Sequence, residues 1–136
     1  MAASALVDSG FLVALLNERD GHHRWAVTQA SQYARPWQTC ESVLSETFYL
    51  LGEPGAQQLA ELLRRSATLT SFVFADHRNS VLQLMRKYSN VPMSLSDACL
   101  VRMTEILPDP VTLTTDSDFR IYRRHGRQLI PCILPA

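Results

Sequence analysis

Asp8 stands at the end of a short apolar run, Ala5-Leu6-Val7, and is followed by Ser9 and Gly10. Such a run reads as a buried strand that carries one carboxylate to the carboxyl edge of a sheet, where open α/β folds hold their sites. Three later segments repeat the arrangement. Glu46 lies inside the helix after a second strand, Asp97 in the first turn of a later helix, and Asp116 and Asp118 follow a fourth strand. In a parallel fold these places lie on, or face, one edge of the sheet. Carboxylates grouped there would repel one another, and some would take up protons. A divalent cation removes that cost, and a set of hard oxygen donors suits Mg2+ or Mn2+ rather than zinc. Such an ion activates water and stabilises the oxygens of a phosphodiester under in-line attack.

Each acid also has a local explanation. Asp8 can cap the first helix. Ser94-Leu95-Ser96-Asp97 has the S-x-x-D form of a capping box, and Asp116-Ser117-Asp118 can be an ordinary turn. Glu46 is harder to dismiss, because Ser42, Val43, Tyr49 and Leu50 suggest a face at least partly buried, and a buried glutamate needs a partner. The joint placement favours a site. His22-His23 invites a metal reading, but adjacent residues point apart on a helix and chelate poorly.

The elements that must position these acids alternate. Leu6-Val7 closes a first strand, and a mostly apolar helix runs from Phe11 to about Asn17, capped by Ser9-Gly10. A second helix covers His22 to Tyr33, and Pro36–Cys40 forms a short strand. Glu41 to about Leu51 carries apolar residues at helical spacing, and Gly52-Glu53-Pro54-Gly55 stops it. Gln57–Arg65 is a further amphipathic helix. Thr68–Phe74 is rich in β-branched and aromatic residues and reads as a strand, with Asp76 capping a helix from His77 to Tyr88. A helix from Ser94 to about Ile106, a strand at Val111–Thr114 and a short helix at Phe119–Arg124 follow. Gln128–Leu134 is a last strand, placed at an edge by Pro131. The expected architecture is a three-layer α/β/α domain with a mainly parallel sheet of four to five strands.

The 136 residues suit a single domain, 1–136, with a core large enough to need no disulfides. Cys40, Cys99 and Cys132 are widely spaced, form no C-x-x-C, and read as small core residues. They point to a reducing, cytoplasmic setting. No signal peptide and no membrane span are expected. The net charge is zero and Lys87 is the only lysine among 13 basic residues. After Asp118 come Arg120, Arg123, Arg124 and Arg127 with no acid among them. An arginine-rich end beside an acidic site suits a polyanionic substrate; the alternative is a solvated helix face.

Taken together, Leu6-Val7-Asp8-Ser9-Gly10-Phe11-Leu12, Ser42-Val43-Leu44-Ser45-Glu46, Ser94-Leu95-Ser96-Asp97-Ala98 and Leu113-Thr114-Thr115-Asp116-Ser117-Asp118-Phe119 resemble the four acid-bearing segments of PIN domains. The similarity runs through essentially the whole chain and is nearest to the small ribonuclease toxins of VapBC toxin–antitoxin pairs. It implies a Mg2+- or Mn2+-dependent endoribonuclease with Asp8, Glu46, Asp97 and Asp116 as the metal-site acids. Asp118 would be a further acid, Thr114 a polar support, and Glu41 an alternative to Glu46. Arg120, Arg123 and Arg124 would contact RNA. The resemblance also implies a homodimer and a small antitoxin partner. The neutral net charge departs from the basic surface such toxins often carry.

Two other readings compete. One is a catalytically silent module of the same fold that binds RNA or a protein. The other is a phosphatase with an aspartyl nucleophile at Asp8. It is disfavoured because Gly10 stands where a second acid is wanted and Lys87 is the only lysine available.

Overall fold

A computed structural model describes residues 4–136. The first strand, β1 (Ser4–Val7), is buried at every position and lies at the centre of the sheet. A strand paired on both edges and covered on both faces must be apolar throughout, which Ala5-Leu6-Val7 is. The later strands are β2 (Trp37–Gln38), β3 (Thr68–Leu69), β4 (Pro110–Leu113), β5 (Arg123–Arg124), β6 (Gln128–Leu129) and β7 (Cys132–Ile133). The main sheet has the order β3-β2-β1-β4-β7 and is parallel throughout, while β5 and β6 form a separate antiparallel ribbon.

Five helices complete the three layers: α1 (Ser9–Leu16), α2 (His23–Gln32), α3 (Glu41–Arg64), α4 (Phe74–Lys87) and α5 (Leu95–Ile106). Helix α1 packs on α2 and α3, and α4 packs on α5. Leu6, Phe11, Trp37, Leu100 and Leu113 are fully buried among them. Phe11 sits edge-on to both Trp25 and Trp37, with ring centroids 5.9 and 5.5 Å apart. No helix among the described residues is long and apolar enough to cross a membrane.

Several expectations need correction. Helix α1 begins two residues early, because Asp8 itself is the N-cap. The two helices expected around Gly52–Gly55 run end to end as α3, with the break concentrated at Gly52 (φ 68°, ψ −172°). That backbone region is open only to glycine. Pro54 follows in the first turn of the second segment, where its missing N–H costs no helical hydrogen bond. Strand β3 stops at Leu69, and Phe74 already opens α4, so Asp76 lies inside the first turn and is not the cap. The short helix after Asp118 is a 3-10 turn, Ser117–Arg120, and Arg123 and Arg124 belong to the ribbon instead. The last strand is split: Gln128–Leu129 pairs with β5 and Cys132–Ile133 edges the main sheet. Cys40 and Cys99 are buried, whereas Cys132 is half-buried.

Candidate active site

The register of the two central strands sets the first contact. Val7 lies opposite Leu113, so Asp8 and Thr114 leave the sheet side by side. Asp8 N–H donates to the Leu113 carbonyl at 3.1 Å. Thr114 Oγ1 donates to Asp8 Oδ2 at 2.8 Å and accepts from Asp116 N–H at 2.9 Å. Asp8 Oδ1 accepts from Ser9 N–H at 2.7 Å. One fully buried threonine hydroxyl therefore ties the first acid to the loop that carries the fourth. Asp116 Oδ1 in turn accepts from Asp118 N–H at 2.9 Å and caps the 3-10 turn.

The loops approach closely at Gly10. A Cβ there would lie 2.0 Å from Thr115 Oγ1. A glycine lets the start of α1 pack against the β4 loop, which keeps Asp8 and Asp116 within one recess.

Asp97 reaches the same place from α5. Ser94 is the N-cap, and its Oγ accepts from Asp97 N–H at 3.0 Å. The carboxylate accepts from Tyr122 Oη at 2.8 Å. Tyr122 is fully buried and packs edge-on against Tyr88 and Phe119. Glu46 comes from α3 and accepts from Ser9 Oγ at 2.5 Å. It is exposed, as are Tyr49 and Leu50 on the same stretch, so the buried face expected around it is an open rim.

Asp8, Glu46, Asp97, Asp116 and Asp118 all line one cleft of about 430 Å³, together with Asp20. Glu41 does not. It lies exposed beside Cys40, Phe72 and Phe74, in a separate apolar recess. Arg120, Arg123 and Arg124 do not line the cleft either. Arg123 donates to the carbonyls of Arg120, Ile121 and Tyr122, and Arg124 to that of Thr104, so these two guanidinium groups hold the ribbon against the chain. Arg120 is exposed.

The cleft's electrostatics follow from burial and like charge. Burial raises the Asp8 pKa to about 6; the Thr114 and Ser9 hydrogen bonds oppose the rise, and the charges of Asp97 and Asp116 add to it. Burial likewise raises the Asp97 pKa against the hydrogen bond from Tyr122, with Asp116 contributing to the rise. Tyr122 is held well above its ordinary value by burial and by the Asp97 charge. Oxygen donors that burden one another in this way fit a hard divalent cation. Among the described residues, no three His, Cys, Asp or Glu side chains are already gathered to hold an ion. The acids face the cleft while engaged by Ser9, Thr114 and Tyr122.

Sequence reasoning did not single out Asp20, Ser9 or Tyr122 as site residues. Asp20 lies in a turn with no distinguishing pattern. Tyr122 looks like one more core aromatic until its hydroxyl is seen on Asp97.

A parallel sheet with acids converging past β1 and β4 is the arrangement of a PIN fold, and the PIN domain family model matches residues 5–124. The chain belongs to the PIN domain family. Among solved structures it is similar to VapC20 of Mycobacterium tuberculosis, described as a sarcin–ricin loop cleaving toxin. The TM-score is 0.72 at 24% identity, over 85% of this chain and 92% of that one. Comparison with curated proteins finds no match.

Proposed function

We propose that this protein is a divalent-metal-dependent endoribonuclease, the toxin of a VapBC-type pair. The observation that carries the reading is the single cleft walled by Asp8, Glu46, Asp97, Asp116 and Asp118 in a chain of the PIN family. The likeness to a toxin described as cleaving an RNA loop supports it. Asp8, Asp97 and Asp116 would hold Mg2+ or Mn2+, with Glu46 direct or through water and Asp118 as an auxiliary acid. When bound, such an ion activates a water and offsets charge on a phosphodiester under in-line attack.

The chain's own residues prepare that site. Thr114 fixes the rotamer of Asp8 and the start of the Asp116 loop through one hydroxyl. Tyr122 holds Asp97 with a donor that cannot compete as a ligand base, since it stays protonated. Ser9 holds Glu46 over the open side. Half of the cleft's acids sit at the ends of rigid elements, which suits precise positioning. Exposed Arg120 is left to contact RNA outside the cleft. An antitoxin would act by covering the same opening, and a homodimer is the expected assembly.

The test is cleavage of purified single-stranded RNA in Mg2+ or Mn2+ and in excess chelator. Cleavage should require the ion, and Asp97→Asn should lose on the order of a hundredfold or more while keeping its circular dichroism spectrum, since hydrogen-bond partners of ligands alone cost about 10–100-fold. Undiminished activity in chelator, or in folded Asp97→Asn, would overturn the reading. A non-cleaving RNA- or protein-binding module is the second reading, favoured by the lack of three already-gathered ligands among the described residues. It requires RNA to stay intact under every ion.

A further inference from the structure

The charge on the cleft walls is one-sided. Among the described residues lining it, six carry a carboxylate and only His22 can carry a positive charge. Without a bound cation, a phosphodiester entering such a cleft meets repulsion from those acids, and among the charged lining residues only His22 opposes it.

His22 is also held in place. Its backbone N–H donates to Asp20 Oδ1 at 2.8 Å. Its ring lies edge-on to Trp25, with centroids 6.5 Å apart and planes at 76°. Trp25 in turn packs edge-on against Phe11, which is fully buried three residues after Asp8. A chain of three aromatic rings therefore ties His22 to the turn that carries the first acid. The side chain occupies the N-cap position of α2 without making a capping hydrogen bond, and no hydrogen bond engages its ring among the described residues. Its neighbour behaves differently: His23 Nδ1 pairs with the Ala14 carbonyl at 2.8 Å and anchors α2 to α1. Of the two adjacent histidines, one is committed to structure and the other lines the cleft with its ring free of hydrogen bonds among the described residues.

We propose that His22 is a substrate-binding residue of this site, donating a ring N–H to a non-bridging oxygen of an RNA phosphate that enters the cleft. The proposal rests on the nuclease reading above and adds a residue to it. A hydrogen bond from a ring N–H to an anionic oxygen is charge-assisted and directional, which would set where the backbone lies relative to the acids.

The experiment measures binding of a fluorescent, single-stranded, phosphorothioate-linked oligoribonucleotide in Mg2+ by anisotropy. His22→Leu removes the donor at similar size, and His22→Gln keeps one. His22 is exposed, so both variants should fold as the parent does. His22→Leu should weaken binding about tenfold, the scale of one charge-assisted hydrogen bond in a partly open site. His22→Gln should retain most of the affinity, and neither variant should shift the melting temperature. Unchanged affinity in His22→Leu, equal loss in both variants, or no binding by the parent protein would each overturn the proposal. Failure of the nuclease reading shows separately, as total RNA left intact by the parent protein in Mg2+.

Discussion

Replacing Asp8 by Asn should make the metal-free protein more stable while removing its activity. Burial and the charges of Asp97 and Asp116 raise the Asp8 pKa from 3.8 to about 6, against two hydrogen bonds. A carboxyl whose folded pKa lies above its unfolded value contributes stability that is full below the unfolded pKa. That contribution is lost as pH rises through the folded one. At pH 8 the ionised group therefore costs about 3 kcal/mol, at about 1.4 kcal/mol per unit. Asn removes that cost, and its amide oxygen can still accept from Thr114, whose bond to the anion is already included in that shift. The gain of about 3 kcal/mol corresponds to a rise of about 10 °C in melting temperature for a domain of this size. Thermal unfolding in chelator at pH 8 and at pH 4 measures it. The gain should vanish at pH 4, where Asp8 is largely protonated in the folded protein and contributions from other acids are common to both proteins. A variant no more stable than the parent at pH 8, or one shifted equally at both pH values, would refute the reasoning.

Other perturbations have separate readouts. Tyr122→Phe deletes a buried hydroxyl donor to Asp97. It should cost about 1–2 kcal/mol in urea unfolding and lower cleavage about 10–100-fold by loosening a ligand. Gly10→Ala brings a methyl to within 2.0 Å of Thr115 Oγ1. It should destabilise by about 1–2 kcal/mol, and Thr115→Ala in the same chain should relieve part of that loss in the same melt. Ser9→Ala removes the hydroxyl that holds Glu46. It should reduce cleavage with a shift in melting temperature of less than about 2 °C, because the acceptor, Glu46, is exposed and can turn to water.

The acids were legible because each follows an element whose type is written in local pattern. Ala5-Leu6-Val7 reads as a buried strand, and Ser94 with Asp97 has the form of a helix start. Their convergence follows once the strands are parallel, since β1 and β4 then end side by side. Which of Glu46 and Glu41 lines the cleft is not a local matter: it is Glu46 that Ser9 Oγ meets from α1. The partners of the arginines were not legible, because their number says nothing about what they bond. Arg123 and Arg124 donate to backbone carbonyls once the chain forms a ribbon rather than a helix. Gly52 and Pro54 were read as a stop, yet a glycine-only backbone angle lets a second helical segment start at once. Tyr122 lay hidden because a tyrosine hydroxyl on a core ring leaves no trace in spacing.

Calorimetric titration of Mn2+ into the protein and into Asp97→Asn reports on the cleft's acids most directly. One saturable heat in the parent protein, absent from the folded variant, is expected if acids from β1, α3, α5 and the β4 loop together hold one hard cation. No saturable heat in the parent, or the same heat in both, would contradict that arrangement.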